Sequence, residues 1–124
     1  MDTESRIQQD SLRWFRNSYC LKHHDPQLIM FSVPNEGKDM MEQIKKKATG
    51  LMKGVSDTII VFPGKTVYCE FKDEKGKQRP DQLLFQEKVE KLGHEYWLIR
   101  DGDTFQGKVR NELNNNELYN NEKL

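Results

Sequence analysis

The chain has 124 residues, of which 32% are charged, and its 20 basic side chains balance its 20 acidic ones. A chain of this length can bury one hydrophobic core, so we expect a single domain over residues 1–124. The balanced charge excludes a uniformly basic surface, and no apolar run reaches the roughly 18 residues of a membrane-spanning helix.

Apolar spacing and turn-forming residues predict helices that alternate with short strands. In chain order the predicted elements are a helix at 3–20, a strand at 28–33, a helix at 38–49, strands at 58–62 and 66–72, a helix at 80–92, a strand at 95–100 and a helix at 103–118. The strand at 58–62 shows no polar alternation, so we expect both of its faces to be covered. The tail at 111–124 is rich in Asn and Glu, and we expect it to be frayed.

This order of elements indicates an α/β or α+β domain, in which a mixed central sheet of about four strands is flanked by helices. We expect the core of the domain to span residues 4–105. The N-terminal segment 1–10 lacks the apolar stretch of a secretory signal, and Cys20 and Cys69 are expected to be free thiols. These features predict a cytoplasmic protein that has no membrane partner.

Side-chain alternation places two polar residues together on the strand that contains Glu70. Val67, Cys69 and Phe71 share an apolar face that predicts core, whereas Glu70 and Lys72 share the opposite face, roughly 7 Å apart along the strand. A Glu–Lys pair on a strand is ordinary surface in most proteins. The pair alone therefore does not predict a site.

A Pro-Gly turn supplies a register for the two central strands. If Phe62 pairs with Lys65 across this turn, counting back along both strands puts Asp57 directly opposite Glu70. Directly opposed residues point to the same face, with Cβ atoms about 5 Å apart. A slip of one residue would move Asp57 to the other face, so this prediction depends on the four-residue turn.

Two opposed carboxylates beside a lysine suit a divalent cation. Carboxylates repel one another unless positive charge lies between them, and Mg²⁺ takes one or two carboxylate ligands while it keeps other positions for water and phosphate. Such an ion polarises a phosphodiester and lowers the pKa of bound water, and a lysine can position or deprotonate that water. Asp57, Glu70 and Lys72 therefore point to metal-assisted phosphodiester hydrolysis.

Two predicted helices carry polar residues at the head of an apolar stripe. One turn before the stripe of Phe85, Val89 and Leu92 lies Gln82, and Glu4 heads the stripe of the first helix in the same way. Buried polar groups need partners. The pattern leaves two interpretations open: the polar heads lie in water at the edge of the domain, or they point into a shared polar site.

These residues resemble the VRR-NUC (virus-type replication-repair nuclease) family of the PD-(D/E)XK nuclease superfamily, over about residues 4–105. The motifs that carry the resemblance are Glu4 with Gln8, Trp14-Phe15-Arg16, Val33-Pro34-Asn35-Glu36-Gly37, Gly54-Val55-Ser56-Asp57, Glu70-Phe71-Lys72, and Pro80-Asp81-Gln82 with Phe85 and Gly93. In this order they are far more specific than Glu-x-Lys alone. The chain departs from the family at Phe71, where Leu is more usual, and at Arg79, where Ser is common.

The resemblance implies a restriction-endonuclease-like core and a structure-selective DNA endonuclease that depends on Mg²⁺ or Mn²⁺ and uses no nucleotide cofactor. By motif position, the predicted catalytic residues are Glu4, Asp57, Glu70, Lys72 and Gln82. Asp57, Glu70 and the backbone carbonyl of Phe71 would bind the metal. Lys72 would act on the attacking water, and the remaining two residues would complete the site.

The resemblance also implies branched DNA as the substrate, with four-way (Holliday) junctions cut by a homodimer of a phage-like, stand-alone form in the cytoplasm of a host cell. A monomeric nickase or flap nuclease and a catalytically silent nucleic-acid-binding module are the alternatives. Local lysines are expected to contact the phosphates, and the residues predicted to bind DNA are Asn35, Lys45, Lys46, Lys47, Lys53, Lys75, Lys77 and Arg79. The lysines at 45–47 are equally consistent with a solvated helix face.

Overall fold

The structure, a computed structural model, describes residues 2–33 and 40–122, without the side chains of Gln43 and Glu122. In this part of the chain the helices are α1 (Thr3–Tyr19), α2 (Met40–Ala48), α3 (Pro80–Lys91), α4 (Gly102–Asn114) and α5 (Glu117–Glu122). The strands are β1 (Ile29–Ser32), β2 (Thr58–Phe62), β3 (Lys65–Phe71) and β4 (Glu95–Ile99). None of the helices among the described residues combines the length and the apolar run that crossing a bilayer requires.

The four strands form one mixed sheet in the order β1-β2-β3-β4. The first two pairs are antiparallel, and β3 and β4 are parallel. Parallel neighbours need a crossover connection, and α3 lies in the connection between β3 and β4. The fold is therefore α+β with a mixed four-stranded sheet, as the order of predicted elements indicated.

The predicted hairpin register is confirmed. Phe62 pairs with Lys65, and Thr58 pairs with Cys69 at the other end of the hairpin. Gly64 in the turn has a φ of 69°, in the left-handed region that glycine adopts without steric cost. One step beyond Thr58 and Cys69, the same register sets Asp57 opposite Glu70.

Aromatic side chains fill the main core between the sheet and two helices, α1 and α4. Phe15 of α1 meets Phe62 of β2 edge to face, with ring centroids 6.0 Å apart, and Phe105 of α4 lies 5.9 Å from Phe71. All four rings are almost completely buried. The apolar face predicted for β3 is part of this core, since Phe71 is 0% exposed. Burial of such rings is a large favourable contribution to folding.

The expectation that both faces of β2 are covered is wrong. Thr58, Ile60 and Phe62 are buried, but Ile59 and Val61 on the other face are only half-buried. On that face α3 packs over β3 and β4, where its residue Phe85 meets Tyr68 and Tyr96. The main contact of α3 with the sheet is to β4, so the helix leaves this face of β2 partly open. Leu92, at the C-terminal end of α3, is 75% exposed and does not continue the buried stripe.

The expectation of a frayed C-terminal tail is also wrong for the residues described. A helix was predicted at 103–118, but α4 ends at Asn114 and α5 follows as a separate helix. Leu113 and Tyr119 belong to the core cluster. At the break, the Asn116 side-chain amide donates a 3.0 Å hydrogen bond to the Pro63 carbonyl of the β2–β3 turn. The Asn-rich composition does not indicate that two apolar residues of this segment, Leu113 and Tyr119, are spaced to reach the core.

The two cysteines are free, as expected. Cys69 is fully buried within the sheet, and Cys20 is half-buried just after α1. Burial raises the pKa of the Cys69 thiol well above its ordinary value. A thiol that stays protonated is a poor nucleophile, so Cys69 acts as a small apolar core residue.

Candidate active site

Asp57 stands immediately before β2, where the chain is held on both sides. Its Oδ2 accepts a 2.8 Å hydrogen bond from the backbone N–H of Phe71. Its backbone carbonyl accepts a 2.8 Å hydrogen bond from Val33, just after β1. These contacts to the chain on either side fix the Asp57 carboxylate at the C-terminal end of β3, next to Glu70.

Glu70 is a buried carboxylate in a strand whose neighbouring residues belong to the core. Its side chain is 1% exposed, and its Oε2 accepts a 3.0 Å hydrogen bond from the Gln82 amide. Its other oxygen, Oε1, is buried and has no hydrogen-bond partner among the described residues. A buried carboxylate oxygen without a donor is unfavourable, so this atom is suited to a cation.

Gln82, in the first turn of α3, has its amide orientation fixed by the helix cap. The amide oxygen accepts a 2.8 Å hydrogen bond from the backbone N–H of Arg79 at the N-cap. The amide nitrogen therefore points the other way, toward Glu70. The Gln82 side chain, 4% exposed, thus supplies the cap contact and a donor to the buried carboxylate. The Arg79 position, where the family more often has Ser, retains a capped backbone N–H.

Glu4 brings a third carboxylate to this point from the first turn of α1. That turn is capped by Asp2, whose Oδ1 accepts a 2.7 Å hydrogen bond from the backbone N–H of Ser5. Glu4, Asp57 and Glu70 each have one carboxylate oxygen that lies within 4.8 Å of the other two. The sequence pattern left open whether Glu4 and Gln82 faced water or a shared site, and in the structure both reach the same cluster.

Lys72 is the first residue after β3, and its side chain is 9% exposed. Its backbone N–H donates a 2.9 Å hydrogen bond to the carbonyl of Ile99, which continues the parallel pairing. Its ammonium Nζ lies 4.0 Å from Glu70 Oε2. The predicted alternation of β3 is thus observed, but Glu70 and Lys72 line a buried site and are not an exposed surface pair.

Two carboxyl groups of the cluster have raised pKa values. Burial, and then the nearby Asp57 carboxylate, raise the pKa of Glu70 to about 8, although Lys72 opposes this shift. Burial also raises the pKa of Glu4; the Lys72 charge lowers this pKa and Asp57 raises it. Without additional positive charge the cluster therefore retains a proton near neutral pH. A divalent cation would favour the fully ionised cluster instead.

The donor set fits Mg²⁺ or Mn²⁺. The atoms that converge are carboxylate oxygens, and hard divalent ions prefer oxygen ligands. The buried, unpartnered Oε1 of Glu70 is an available ligand atom. The N–H of Phe71 points to Asp57, away from β4. Because the N–H and C=O of one strand residue point to the same edge, the Phe71 carbonyl faces the side of β3 on which Asp57 lies.

Gly54 allows the loop before Asp57 to contact the first turn of α3. Its φ is 81°, and a Cβ atom at this position would lie 2.2 Å from the backbone oxygen of Asp81. No side chain fits in that space, so the backbone of the loop lies directly against α3. The sequence motif included Gly54 but gave it no role. In the sequence, the feature that could have predicted this contact is a glycine a few residues before a strand that carries site residues.

An open cavity of about 810 Å³ gives access to the acidic cluster. Its lining residues are Glu4, Lys53, Val55, Asp57, Glu70, Lys72, Arg79, Pro80, Asp81 and Gln82. All the predicted catalytic side chains are therefore brought to one cavity. The predicted DNA-binding residues Lys53 and Arg79 are exposed residues that line it as well.

The other residues predicted to bind DNA are not brought to this cavity. Lys45, Lys46 and Lys47 form the last turn of α2, where Lys46 pairs with Glu42 at 3.0 Å. Lys46 lines a second, more apolar cavity that shares Val55 with the first. Lys75 and Lys77 are exposed in the loop after β3. Asn35 lies outside the described residues.

No protein-family model and no curated protein matches this chain. Among solved structures, the chain is similar to one described as "VRR_NUC domain protein", with a TM-score of 0.68 and 20% sequence identity. The match covers 90% of this chain and 88% of that chain. The chain therefore has the fold of a VRR-NUC domain, which is the fold that the motifs predicted.

Proposed function

We propose that this protein is a metal-dependent DNA endonuclease that hydrolyses phosphodiester bonds with Mg²⁺ or Mn²⁺. One observation carries the proposal: carboxylates from α1, the start of β2 and β3 converge within 4.8 Å of one another in an open cavity. A lysine ammonium lies 4.0 Å from the most buried carboxylate. Carboxylates that can bind a divalent ion, next to a lysine ammonium, are suited to the hydrolysis of anionic phosphate esters.

We assign a role to each side chain of the cluster. Asp57, Glu70 and the carbonyl of Phe71 would hold the ion, with Glu4 as a further oxygen donor. When bound, the ion polarises the phosphodiester and lowers the pKa of a bound water. Lys72 holds the attacking water and stabilises the negative charge that develops on the phosphate. Gln82 keeps Glu70 Oε2 in place by a hydrogen bond of 3.0 Å.

Basic residues at the cavity rim are the first candidates for contact with the DNA backbone. Lys53 and Arg79 line the cavity that contains the acidic cluster. Lys45, Lys46 and Lys47 on α2, together with Lys75, Lys77 and Asn35, complete the set that we assign to DNA. Phosphate contacts dominate the affinity of such complexes. Local positive charge can therefore bind DNA although the net charge of the whole chain is zero.

We further propose that the substrate is branched DNA, with four-way junctions cut by a homodimer in the cytoplasm of a host cell. The structurally similar protein is described as "VRR_NUC domain protein", and the resemblance of the motifs to that family implies branched DNA as the substrate. A four-way junction offers two equivalent strands, which a two-fold symmetric dimer matches. On α2, Met40, Met41 and Ile44 are exposed, and apolar surface of this kind favours packing against a second copy.

The alternatives are a monomeric nickase or flap nuclease and a catalytically silent nucleic-acid-binding module. The complete acidic cluster and the buried Lys72 favour an enzyme over the silent module. Three carboxylates repel phosphate when no cation is bound, so a module that only binds DNA would be weakened by them. A monomer and a dimer differ in mass and in the symmetry of the cuts.

The test uses the purified chain with linear, nicked, flapped and four-way DNA, in Mg²⁺, Mn²⁺ or EDTA. The informative variants are Glu70→Ala and Lys72→Ala, which remove a proposed ligand and the proposed cation of the site. Lys91→Ala and Glu90→Gln are matched controls, because both residues are exposed at the C-terminal end of α3, away from Gln82. Elution mass measured in parallel gives the number of copies.

We expect metal-dependent cutting by the parent chain and by both controls, and at least a hundredfold loss in Glu70→Ala and Lys72→Ala, as is usual for a removed catalytic group. Paired symmetric cuts in four-way DNA by a dimer would support junction resolution. Cuts in flaps or nicks by a monomer would support the first alternative. If no substrate is cut under any metal condition, the enzyme proposal fails. Full activity of Glu70→Ala and Lys72→Ala would show that the site is elsewhere.

A further inference from the structure

We propose that Arg100 is a positioning residue that closes residues 73–76 over Lys72 and so holds its ammonium beside Glu70. The proposal deepens the proposed function, because it concerns the lysine of that site. Arg100 does not line the cavity of the acidic cluster, and neither the motifs nor the cavity assigns it a role.

Lys72 needs a support that β3 alone does not provide. The strand ends at Phe71, and Lys72 is the first residue after it. A lysine side chain is long and loses considerable rotamer freedom when it is held in one position. Lys72 nevertheless is only 7% exposed, so other atoms must pack against its stem.

The backbone of the turn at 73–76 supplies these atoms. A Cβ placed on Gly76 would lie 3.4 Å from Lys72 Cδ, so the Gly76 backbone is packed along the stem of the lysine. The Asp73 side chain folds this turn, because its Oδ1 accepts hydrogen bonds of 3.0 Å from Lys75 N–H and 2.6 Å from Gly76 N–H. The turn contains charged residues and glycine only, so apolar packing does not hold it.

Arg100 ties this turn to the sheet. Its Nη1 donates hydrogen bonds of 2.8 Å to the carbonyl of Asp73 and 2.7 Å to the carbonyl of Gly76. Arg100 follows β4 directly, and the pairing of Lys72 N–H with the Ile99 carbonyl places the two chain segments side by side. The guanidinium of Arg100 thus links both ends of the turn to the C-terminal end of β4. Hydrogen bonds from a charged donor are among the stronger ones in proteins.

The test measures the accessibility of Lys72 and does not require nuclease activity. The intact, metal-free protein is reductively methylated with formaldehyde and a hydride donor, and peptide mass spectrometry gives the labelling rate of each lysine. The variants are Arg100→Gln, Arg100→Lys, Asp73→Ala and Asp73→Asn, with Arg13→Gln as the matched control. Arg13 is 70% exposed and forms only a loose pair with Asp10 at 3.7 Å.

We expect Arg100→Gln to raise the labelling rate of Lys72 about tenfold, the factor that corresponds to the loss of one hydrogen bond to a charged group. Arg100→Lys should keep part of the protection, because it retains a cationic donor. Asp73→Ala should also expose Lys72, whereas Asp73→Asn, which keeps Oδ1, should not. The exposed Lys91 in the same sample and the Arg13→Gln variant should show unchanged rates.

A split between kcat and KM on cleaved DNA separates positioning from direct contact. Loss of positioning lowers kcat at unchanged KM, with partial rescue by Arg100→Lys. A raised KM at unchanged kcat would show instead that Arg100 contacts the DNA, and it would overturn the proposal. Unchanged protection of Lys72 in folded Arg100→Gln and Asp73→Ala would overturn it as well. If Arg100→Gln does not fold, Asp73→Ala decides the outcome, and the labelling result stands even if no DNA is cut.

Discussion

The buried Glu70 makes a specific prediction about stability in the absence of metal. Burial and the neighbouring Asp57 raise the pKa of Glu70 from its ordinary 4.5 to about 8. The folded protein therefore binds this proton more tightly than the unfolded chain does. As the pH rises from 4.5 through about 8, the unfolded chain loses the proton first, and the free energy of unfolding falls. A glutamine at this position does not titrate, so in Glu70→Gln this fall in the free energy of unfolding should be absent.

The magnitude follows from the width of this pH interval. Each pH unit between the two pKa values corresponds to about 1.4 kcal/mol. From 4.5 to about 8 the wild-type protein would lose on the order of 5 kcal/mol at most. The coupling of Glu70 with Asp57 and Lys72 spreads the titration, so we expect on the order of 2 kcal/mol to be measured. A domain of this size is stable by about 5–15 kcal/mol, so the difference is measurable.

The assay is urea unfolding in EDTA at several pH values from 4 to 9, with wild type and Glu70→Gln measured side by side. We expect the variant to gain stability relative to wild type as the pH rises, and the two to be nearly equal near pH 4. Added Mg²⁺ should stabilise wild type and not the variant, because only wild type provides the ligand. The difference in the free energy of unfolding between wild type and Glu70→Gln removes the contributions of groups that titrate in the same way in both proteins.

Glu95→Gln is the matched control with the opposite sign. Burial raises the pKa of Glu95, but hydrogen bonds from Lys65 and Trp97 outweigh this and lower it overall. The ionised Glu95 carboxylate therefore stabilises the fold above pH 4.5, and this stabilisation is lost in acid. Glu95→Gln should thus lower the free energy of unfolding most near neutral pH. If Glu70→Gln instead loses stability as the pH rises, the carboxylate is stabilised in the metal-free fold, and our account of the cluster is wrong.

Further predictions concern the supports of the site and the metal. Gly54→Ala should lower the free energy of unfolding by about 2 kcal/mol or more, since its Cβ would lie 2.2 Å from Asp81 O; an unchanged urea midpoint would contradict this contact. Lys65→Met should cost about 1–3 kcal/mol, because it leaves Glu112, whose side chain is 11% exposed, without its 2.6 Å partner; Lys65→Arg is the control. Mn²⁺ should raise the melting temperature of wild type and not of Asp57→Asn, and an equal rise in both proteins would remove Asp57 from the ligand set.

The sequence by itself determined the central part of the site, because the relevant information is local. Alternation along β3 put Glu70 and Lys72 on one face and Phe71 in the core. The Pro-Gly turn set the pairing of Phe62 with Lys65, and this register reached Asp57 without any knowledge of the rest of the fold. Strand parity and hairpin register depend on residues that are near one another in sequence.

The sequence failed where a helix had to be placed against distant segments. Nothing local showed that α3 would leave half of β2 open, or that Leu92 would be exposed. Nothing local showed that Asn116 would reach the carbonyl of Pro63 and bring Tyr119 into the core. Composition suggested a frayed tail because it counts polar residues, whereas the stability of α5 comes from a few well-placed contacts.

The tertiary structure alone decided which of the two open interpretations holds for the polar helix residues. Glu4 reaches Glu70 only because α1 packs on the sheet with its first turn at the end of β3. Gln82 points its amide nitrogen at Glu70 because the cap at Arg79 takes the amide oxygen. Arg100 closes the turn over Lys72 because β4 runs parallel to β3 and ends beside it. A hydrophobic stripe shows which face of a helix is buried, but the position of that helix on the sheet is set by packing between residues far apart in the chain.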